Sequence, residues 1–194
     1  GLLEIDSAGE GKGSTFKAYV HLERAADFQP STALVLPSSM AGREPHVFPP
    51  GFRCLYAEDE DFLRMALGAT VFHPLNVPYD ECEDGAQVLE RLLGEGAAHL
   101  SDEDLRATRP HSWPYHVVIL DNQMTTLDGK ETARRLRLAG FKGDILGLTG
   151  DPPGCDARMQ FERELDACFD KDRAGMEAFE AKLRGYANSS SSAA

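Results

Sequence analysis

Basic charge is scarce in this 194-residue chain: 20 Lys plus Arg stand against 32 Asp plus Glu, leaving a formal charge of -12. A nucleic-acid surface needs clustered cations to displace counterions, so no nucleic-acid partner is expected. Long apolar runs are missing as well. None approaches the roughly 20 residues that span a bilayer, and the opening GLLEIDSAGEGKG has no basic-then-apolar signal pattern, so no direct membrane contact is expected. The chain reads as soluble, intracellular and cytoplasmic. The four cysteines, Cys54, Cys82, Cys155 and Cys168, lie far apart without a CxxC pair, which leaves neither a zinc knuckle nor a redox dithiol. Reduced, mostly buried thiols are the expectation. A phosphate loop is also lacking, because Gly11-Lys12 is followed by Gly13 and not by Ser or Thr. With no initiator Met, the chain reads as a fragment of something longer.

What is present is a change of pattern along the chain. Residues 1–27 hold two alternating segments, and residues 28–51, rich in Pro, Ser and Gly, read as a linker. From Phe52 onward, short apolar runs alternate with amphipathic stretches, which predicts an α/β domain with a parallel sheet over residues 52–187. The predicted strands are Phe52–Ala57, Val77–Cys82, Val117–Leu120, Ile145–Leu148 and Ala167–Phe169. Helical patterns fall between them at Asp61–His73, Gly85–Leu93, Gly129–Ala139, Cys155–Leu165 and Ala174–Tyr186. Strict alternation of five strands and five helices describes a doubly wound, flavodoxin-like domain of strand order 2-1-3-4-5 with helices on both faces. Pro78 inside the second strand fits an edge position. Residues 94–114 are too long for a simple helix-to-strand loop and read as a surface insertion, and the tail 188–194 is expected to be disordered.

In such a sheet, ligands bind beyond the carboxyl ends of the strands, so the residues just after each apolar run matter most. Strand one ends in Glu58-Asp59-Glu60-Asp61, strand three in Asp121-Asn122-Gln123, strand four in Thr149-Gly150 and strand five in Asp170-Lys171. Two neighbouring strands therefore bring Glu58, Asp59 and Asp121 to one edge. Carboxylates that close repel unless a cation sits among them, and hard oxygen ligands with an open aqueous face suit Mg2+. Thr149 and Lys171 supply donors for a dianionic group near Asp121. Singly these residues are a solvated helix start, a cap, a strand-end hydroxyl and a loop charge. Their joint placement points to a phosphoryl and magnesium site.

Four stretches carry a family resemblance: FRCLYAEDE, CEDGAQVLERL, VVILDNQMTTLDGKETARRLR and ILGLTGD, followed by Lys171 at the family's spacing from Thr149. Over residues 52–186, about two thirds of the chain, the sequence resembles the receiver domain of two-component response regulators, in the form attached to hybrid histidine kinases. The resemblance implies that Asp121 is the phosphoacceptor for a histidine kinase or histidine phosphotransfer protein. It implies further that Glu58, Asp59, Asp121 and the backbone carbonyl of Gln123 hold magnesium, and that Thr149 and Lys171 bind the phosphoryl oxygens. Residues LLEIDSAGEGKGSTFKAYVHLE resemble the last glycine-rich box and closing strands of a histidine-kinase ATP-binding domain, a remnant expected not to bind ATP alone.

Four positions depart from the family pattern. Thr125 and Asp172 stand where Pro is usual, Gly150 where Ala is usual, and Cys168 where an aromatic switch residue is usual. Cys168, Gly150 and Asp172 motivate an alternative, a degenerate receiver acting only as a protein interaction module, and Asp172 is expected to compete for the ammonium of Lys171. A phosphatase with an aspartate nucleophile ranks last, since it needs an acid two residues after the nucleophile and Gln123 stands there. His111 and His116, around Trp113, lack a third ligand and read as surface or packing residues.

Overall fold

The alternation of residues 52–187 becomes an α/β sheet in the computed structural model, which describes residues 2–7, 14–19, 46–108, 110 and 112–188. Residues 1–43 and 44–194 form two units. In the first, β1 (Leu2–Ser7) pairs antiparallel with β2 (Ser14–Tyr19), Leu2 opposite Tyr19. The glycine-rich residues 8–13 between them, residues 28–45 of the expected linker, and residues 189–194 of the expected tail lie outside the described residues, as do Arg109 and His111.

In the second unit the strands are β3 (Cys54–Ala57), β4 (Tyr79–Cys82), β5 (Val117–Asp121), β6 (Asp144–Thr149) and β7 (Ala167–Asp170). They lie in the order β4-β3-β5-β6-β7, every pair parallel, which is the expected 2-1-3-4-5 order. Successive side chains leave opposite faces, so each strand feeds two cores. Cys54, Tyr56, Val117, Ile119, Leu146 and Leu148 pack on one face with Phe72 and Phe179. Leu55, Ala57, Val118, Leu120 and Ile145 pack on the other with Leu89, Leu136 and Phe161. Phe48, stacked on Phe52 at 5.0 Å, also joins the first core, so packing starts within the stretch read as linker.

The helices are α1 (Asp61–Leu67), α2 (His73–Leu75), α3 (Gly85–Leu93), α4 (Asp102–Ala107), α5 (Gly129–Leu138), α6 (Asp156–Glu162) and α7 (Arg173–Asn188). The single helix expected over 61–73 is instead α1, a π-helical stretch Gly68–Phe72, and α2. Pro74 explains the change: it has no N–H and its ring crowds the preceding turn, so the α ladder widens ahead of it. Asn76, at φ 57, then ends the helix in the left-handed conformation. Pro78 sits one residue before β4 and not inside it, its carbonyl accepting from the Cys54 N–H at 2.9 Å. β4 is the expected edge strand.

The insertion has structure of its own. Ser101 caps α4 by accepting from the Asp104 N–H at 3.1 Å, and Leu105 and Ala97 are buried. Arg134 on α5 holds Asp102 through both carboxylate oxygens at 2.8 and 2.9 Å, while Arg135 donates to the carbonyls of Ala98 and Leu100. No helix among the described residues is long and apolar enough to cross a membrane.

One glycine positions the site directly. A Cβ on Gly129, the first residue of α5, would lie 2.1 Å from the carbonyl oxygen of Asp121. Backbone cannot yield as a side chain does, so Gly129→Ala is expected to destabilise the domain by about 1–3 kcal/mol. Urea melts measure the loss, and amide shifts of Asp121 and Asn122 in the variant report the displaced strand end.

Candidate functional site

Three backbone hydrogen bonds extend the ladder past the strand ends and set the edge on which the acidic residues stand. The Glu58 N–H donates to the Cys82 carbonyl at 3.2 Å, Asn122 to Leu148 at 3.2 Å, and Lys171 to Thr149 at 2.9 Å. All six predicted site residues, Glu58, Asp59, Asp121, Gln123, Thr149 and Lys171, line one open cleft of about 420 Å³ at that edge. Glu58, Asp121 and Thr149 are buried, at 1%, 6% and 1% exposure. Carboxylate oxygens of Glu58, Asp59 and Asp121 lie within 4.8 Å of one another, an all-oxygen set of the kind a hard divalent cation takes.

Lys171 bridges the two buried acids, its Nζ 2.8 Å from Glu58 Oε2 and 2.9 Å from Asp121 Oδ1. The Tyr56 hydroxyl donates weakly to Glu58 Oε2 at 3.4 Å. Burial raises the pKa of Asp121 above the ordinary aspartate value, and the hydrogen bond and charge of Lys171 only partly offset it. For Lys171, burial pulls downward, but hydrogen bonds to Glu58 and Asp121 outweigh it and the ammonium is held more firmly than usual. One ammonium against two buried carboxylates and the neighbouring Asp59 leaves the cleft net negative. That imbalance favours a further cation.

Asp59 accepts from the Thr125 hydroxyl, which ties the loop after β3 to the loop after β5. Glu60 is exposed and makes no side-chain cap at the start of α1. Gln123 donates its side-chain amide to Asp151 Oδ1 at 2.9 Å, and the Thr149 hydroxyl donates to Asp151 Oδ2 at 3.1 Å. Asp151 has no role in the sequence reading, although it stands two residues beyond Thr149. The signal was its position in ILGLTGD; what could not be read was that Asn122 and Gln123, 29 and 28 positions earlier, turn toward it.

The departures from the family pattern resolve individually. Asp172 does not compete for Lys171: its carboxylate accepts from the Gly175 N–H at 2.7 Å and caps α7, as an Asp before a helix is well suited to do. No peptide bond among the described residues is cis, so the Lys171-Asp172 bond is trans, as a non-proline residue dictates. A Cβ on Gly150 would meet nothing within 4 Å. Cys168 packs against the second core, and burial pushes its thiol up to about 11. Burial also raises Cys54 to about 12 and Cys82 to about 11, which keeps these thiols protonated and unreactive, and all four cysteines are free, Cys155 among them half-buried. His116 stacks on Phe52 at 5.5 Å, a packing role.

Sheet order, face assignment and the acidic strand ends define the fold of a response-regulator receiver domain. No protein-family model matches the chain. It is similar to the histidine kinase CKI1 of Arabidopsis thaliana, 25% identical over 119 residues, which are 58% of this chain and 10% of the relative. The chain thus spans about a tenth of the length of that curated relative. Among solved structures, the response regulator TrrA of Thermotoga maritima in complex with Mg2+ and BeF is 19% identical, with a TM-score of 0.50 over 70% of this chain and 98% of that one. A single-residue mutant of the CKI1 receiver domain is 20% identical, with a TM-score of 0.50 over 70% of this chain and 91% of that one.

Proposed function

We propose that this unit is a phosphorelay receiver that accepts a phosphoryl group onto Asp121 from a phosphohistidine of a histidine kinase or histidine phosphotransfer protein. The observation that carries the reading is the Lys171 ammonium between Glu58 and Asp121, 2.9 Å from the carboxylate that would attack. A carboxylate oxygen of Asp121 forms the new O–P bond as the N–P bond of the donor breaks, and the leaving imidazole takes a proton from solvent. Lys171 stays beside Asp121 and exchanges a carboxylate oxygen for a phosphoryl oxygen, so its charge is useful before and after transfer. Thr149 offers a hydroxyl at the same edge. Glu58, Asp59 and Asp121, with the backbone carbonyl of Gln123, would hold magnesium, whose charge offsets the repulsion between an anionic donor and a carboxylate. A Lys171 turned away from Asp121 would favour the degenerate-receiver alternative; here its ammonium stays beside that carboxylate.

The test is incubation of the full chain with acetyl phosphate and magnesium. A single phosphoryl mass increment that hydroxylamine removes is expected, because an acyl phosphate is labile to that nucleophile. A mass unchanged by treatment would leave only the interaction-module reading.

The metal assignment has its own expected outcome. Asp59→Asn should weaken magnesium binding by at least about tenfold, since even outer-shell partners of a metal site cost 10–100-fold when lost. Glu60→Gln, on the solvent side of the helix start, should change it little. Calorimetry on the two variants decides; equal affinities would place the cation elsewhere.

Residues 1–27 we read as the closing strands of a kinase ATP-binding domain, within a hybrid histidine kinase. The antiparallel pairing of β1 with β2 supports that reading.

A further inference from the structure

Asp151 gathers the polar groups around the phosphoryl side of the cleft. Its Oδ2 accepts from the Asn122 side-chain amide at 2.6 Å and from the Thr149 hydroxyl at 3.1 Å, and its Oδ1 accepts from the Gln123 amide at 2.9 Å. Its own N–H donates back to the Thr149 oxygen at 3.0 Å. The Asp151 carbonyl is held in turn by Arg158, a buried guanidinium on α6 that donates to it at 3.1 Å and also binds Asp170, the residue before Lys171, and Glu162. The loop after β6 is therefore fastened to the loop after β5 by Asp151 and to the end of β7 by Arg158.

A hydroxyl has one proton to donate. While Thr149 gives it to the Asp151 carboxylate, it has none for a phosphoryl oxygen on Asp121. Resting on the reading of Asp121 as phosphoacceptor, we propose that Asp151 is a positioning residue that latches Thr149 in the resting site, so that phosphoryl transfer is completed only when the Thr149–Asp151 hydrogen bond is exchanged for one to the phosphoryl group. Asp151 keeps its two amide donors through that exchange, which makes the latch reversible. Release of Thr149 is thereby felt at Asn122 and Gln123 through the same carboxylate. Arg158 fixes the backbone against which the hydroxyl turns.

Beryllofluoride with magnesium, a phosphoryl mimic, provides the test on the full chain by calorimetry. Asp151→Ala should tighten its binding by about tenfold, the worth of one hydrogen bond to a charged acceptor that no longer has to be broken. Asp151→Asn, nearly isosteric and able to keep an acceptor oxygen without the charge, should fall between the two and guards against misfolding of the alanine variant. Removing a negative charge would by itself favour an anion, whatever Thr149 does. The deciding comparison is therefore the Thr149→Val background, in which Asp151→Ala should bring only the smaller gain that the lost charge gives. A gain of the same size there, or wild-type affinity in Asp151→Ala, overturns the latch while leaving the phosphoacceptor reading intact. If the wild-type chain itself neither binds beryllofluoride nor takes a hydroxylamine-labile phosphoryl group, the phosphoacceptor reading falls, and the latch with it.

Discussion

Asp121→Asn is expected to reduce labelling by acetyl phosphate and magnesium to background, the largest functional effect of any single substitution in this chain. An amide oxygen is a poor nucleophile and carries no charge for a divalent cation, so both the attack and the metal set are lost together. The fold should survive, because the Asn oxygen still accepts from Lys171 and Glu58 retains its ion pair. Stability should in fact rise at neutral pH. Burial raises the pKa of Asp121 in the folded chain, so the folded state holds its proton more tightly than the unfolded one. Stability is then lost as pH climbs from the ordinary aspartate value of 3.8 through the folded pKa, and it stays lower above it. The neutral Asn has no such slope. Thermal melts of the two proteins should differ at pH 7 and converge well below the ordinary aspartate pKa. Hydroxylamine-labile label in Asp121→Asn would move the nucleophile to another residue.

Lys171→Met should damage stability and chemistry at once. Its ammonium is the cation beside the buried carboxylates of Glu58 and Asp121, and removing one partner of a buried pair costs about 3–5 kcal/mol. The folded pKa of Lys171 is raised, so its contribution is fully present below the ordinary lysine value of 10.5 and disappears as pH rises through the higher folded value. At neutral pH the whole loss should therefore be seen in urea melts. It should shrink toward acid pH, where the abandoned carboxylates take up protons. In metal-free protein, carboxyl carbon shifts should place the Asp121 titration above 3.8 in the wild type and higher still in the variant, because the hydrogen bond and charge of Lys171 are what hold it down. Wild-type stability at neutral pH, with an unmoved Asp121 titration, would contradict the bridge.

Much of this was legible in the residues because the forces that fix it act over a few positions. α3 spans Gly85–Leu93 as predicted, since Asp84 caps it by accepting from the Gln87 N–H three residues on, and its buried positions Val88, Leu89 and Leu92 recur at helical spacing. The all-apolar runs at 54–57 and 117–120 announced strands buried on both faces, and the acids that follow them had to emerge at one edge of a parallel sheet. Asp172 shows the limit of reading charge without geometry. Its place beside Lys171 suggested competition, whereas the helix that begins after it had an N–H to satisfy nearer at hand.

Sequence by itself therefore determined the alternation of strands and helices and the edge at which Glu58, Asp59, Asp121, Thr149 and Lys171 collect, because periodicity, caps and turn residues are local and parallel connectivity leaves few ways to assemble them. Only the tertiary structure decided which partners those groups choose. Lys171 reaches Glu58 across 113 positions, Asp151 draws in Asn122 across 29, Thr125 reaches Asp59 across 66, and Arg158 closes on Asp170 from a neighbouring helix. Such pairings depend on angles and distances set by the packing of both cores at once, and on competition among several acids for few donors. No property of a single residue or its neighbours in the chain encodes the outcome of that competition.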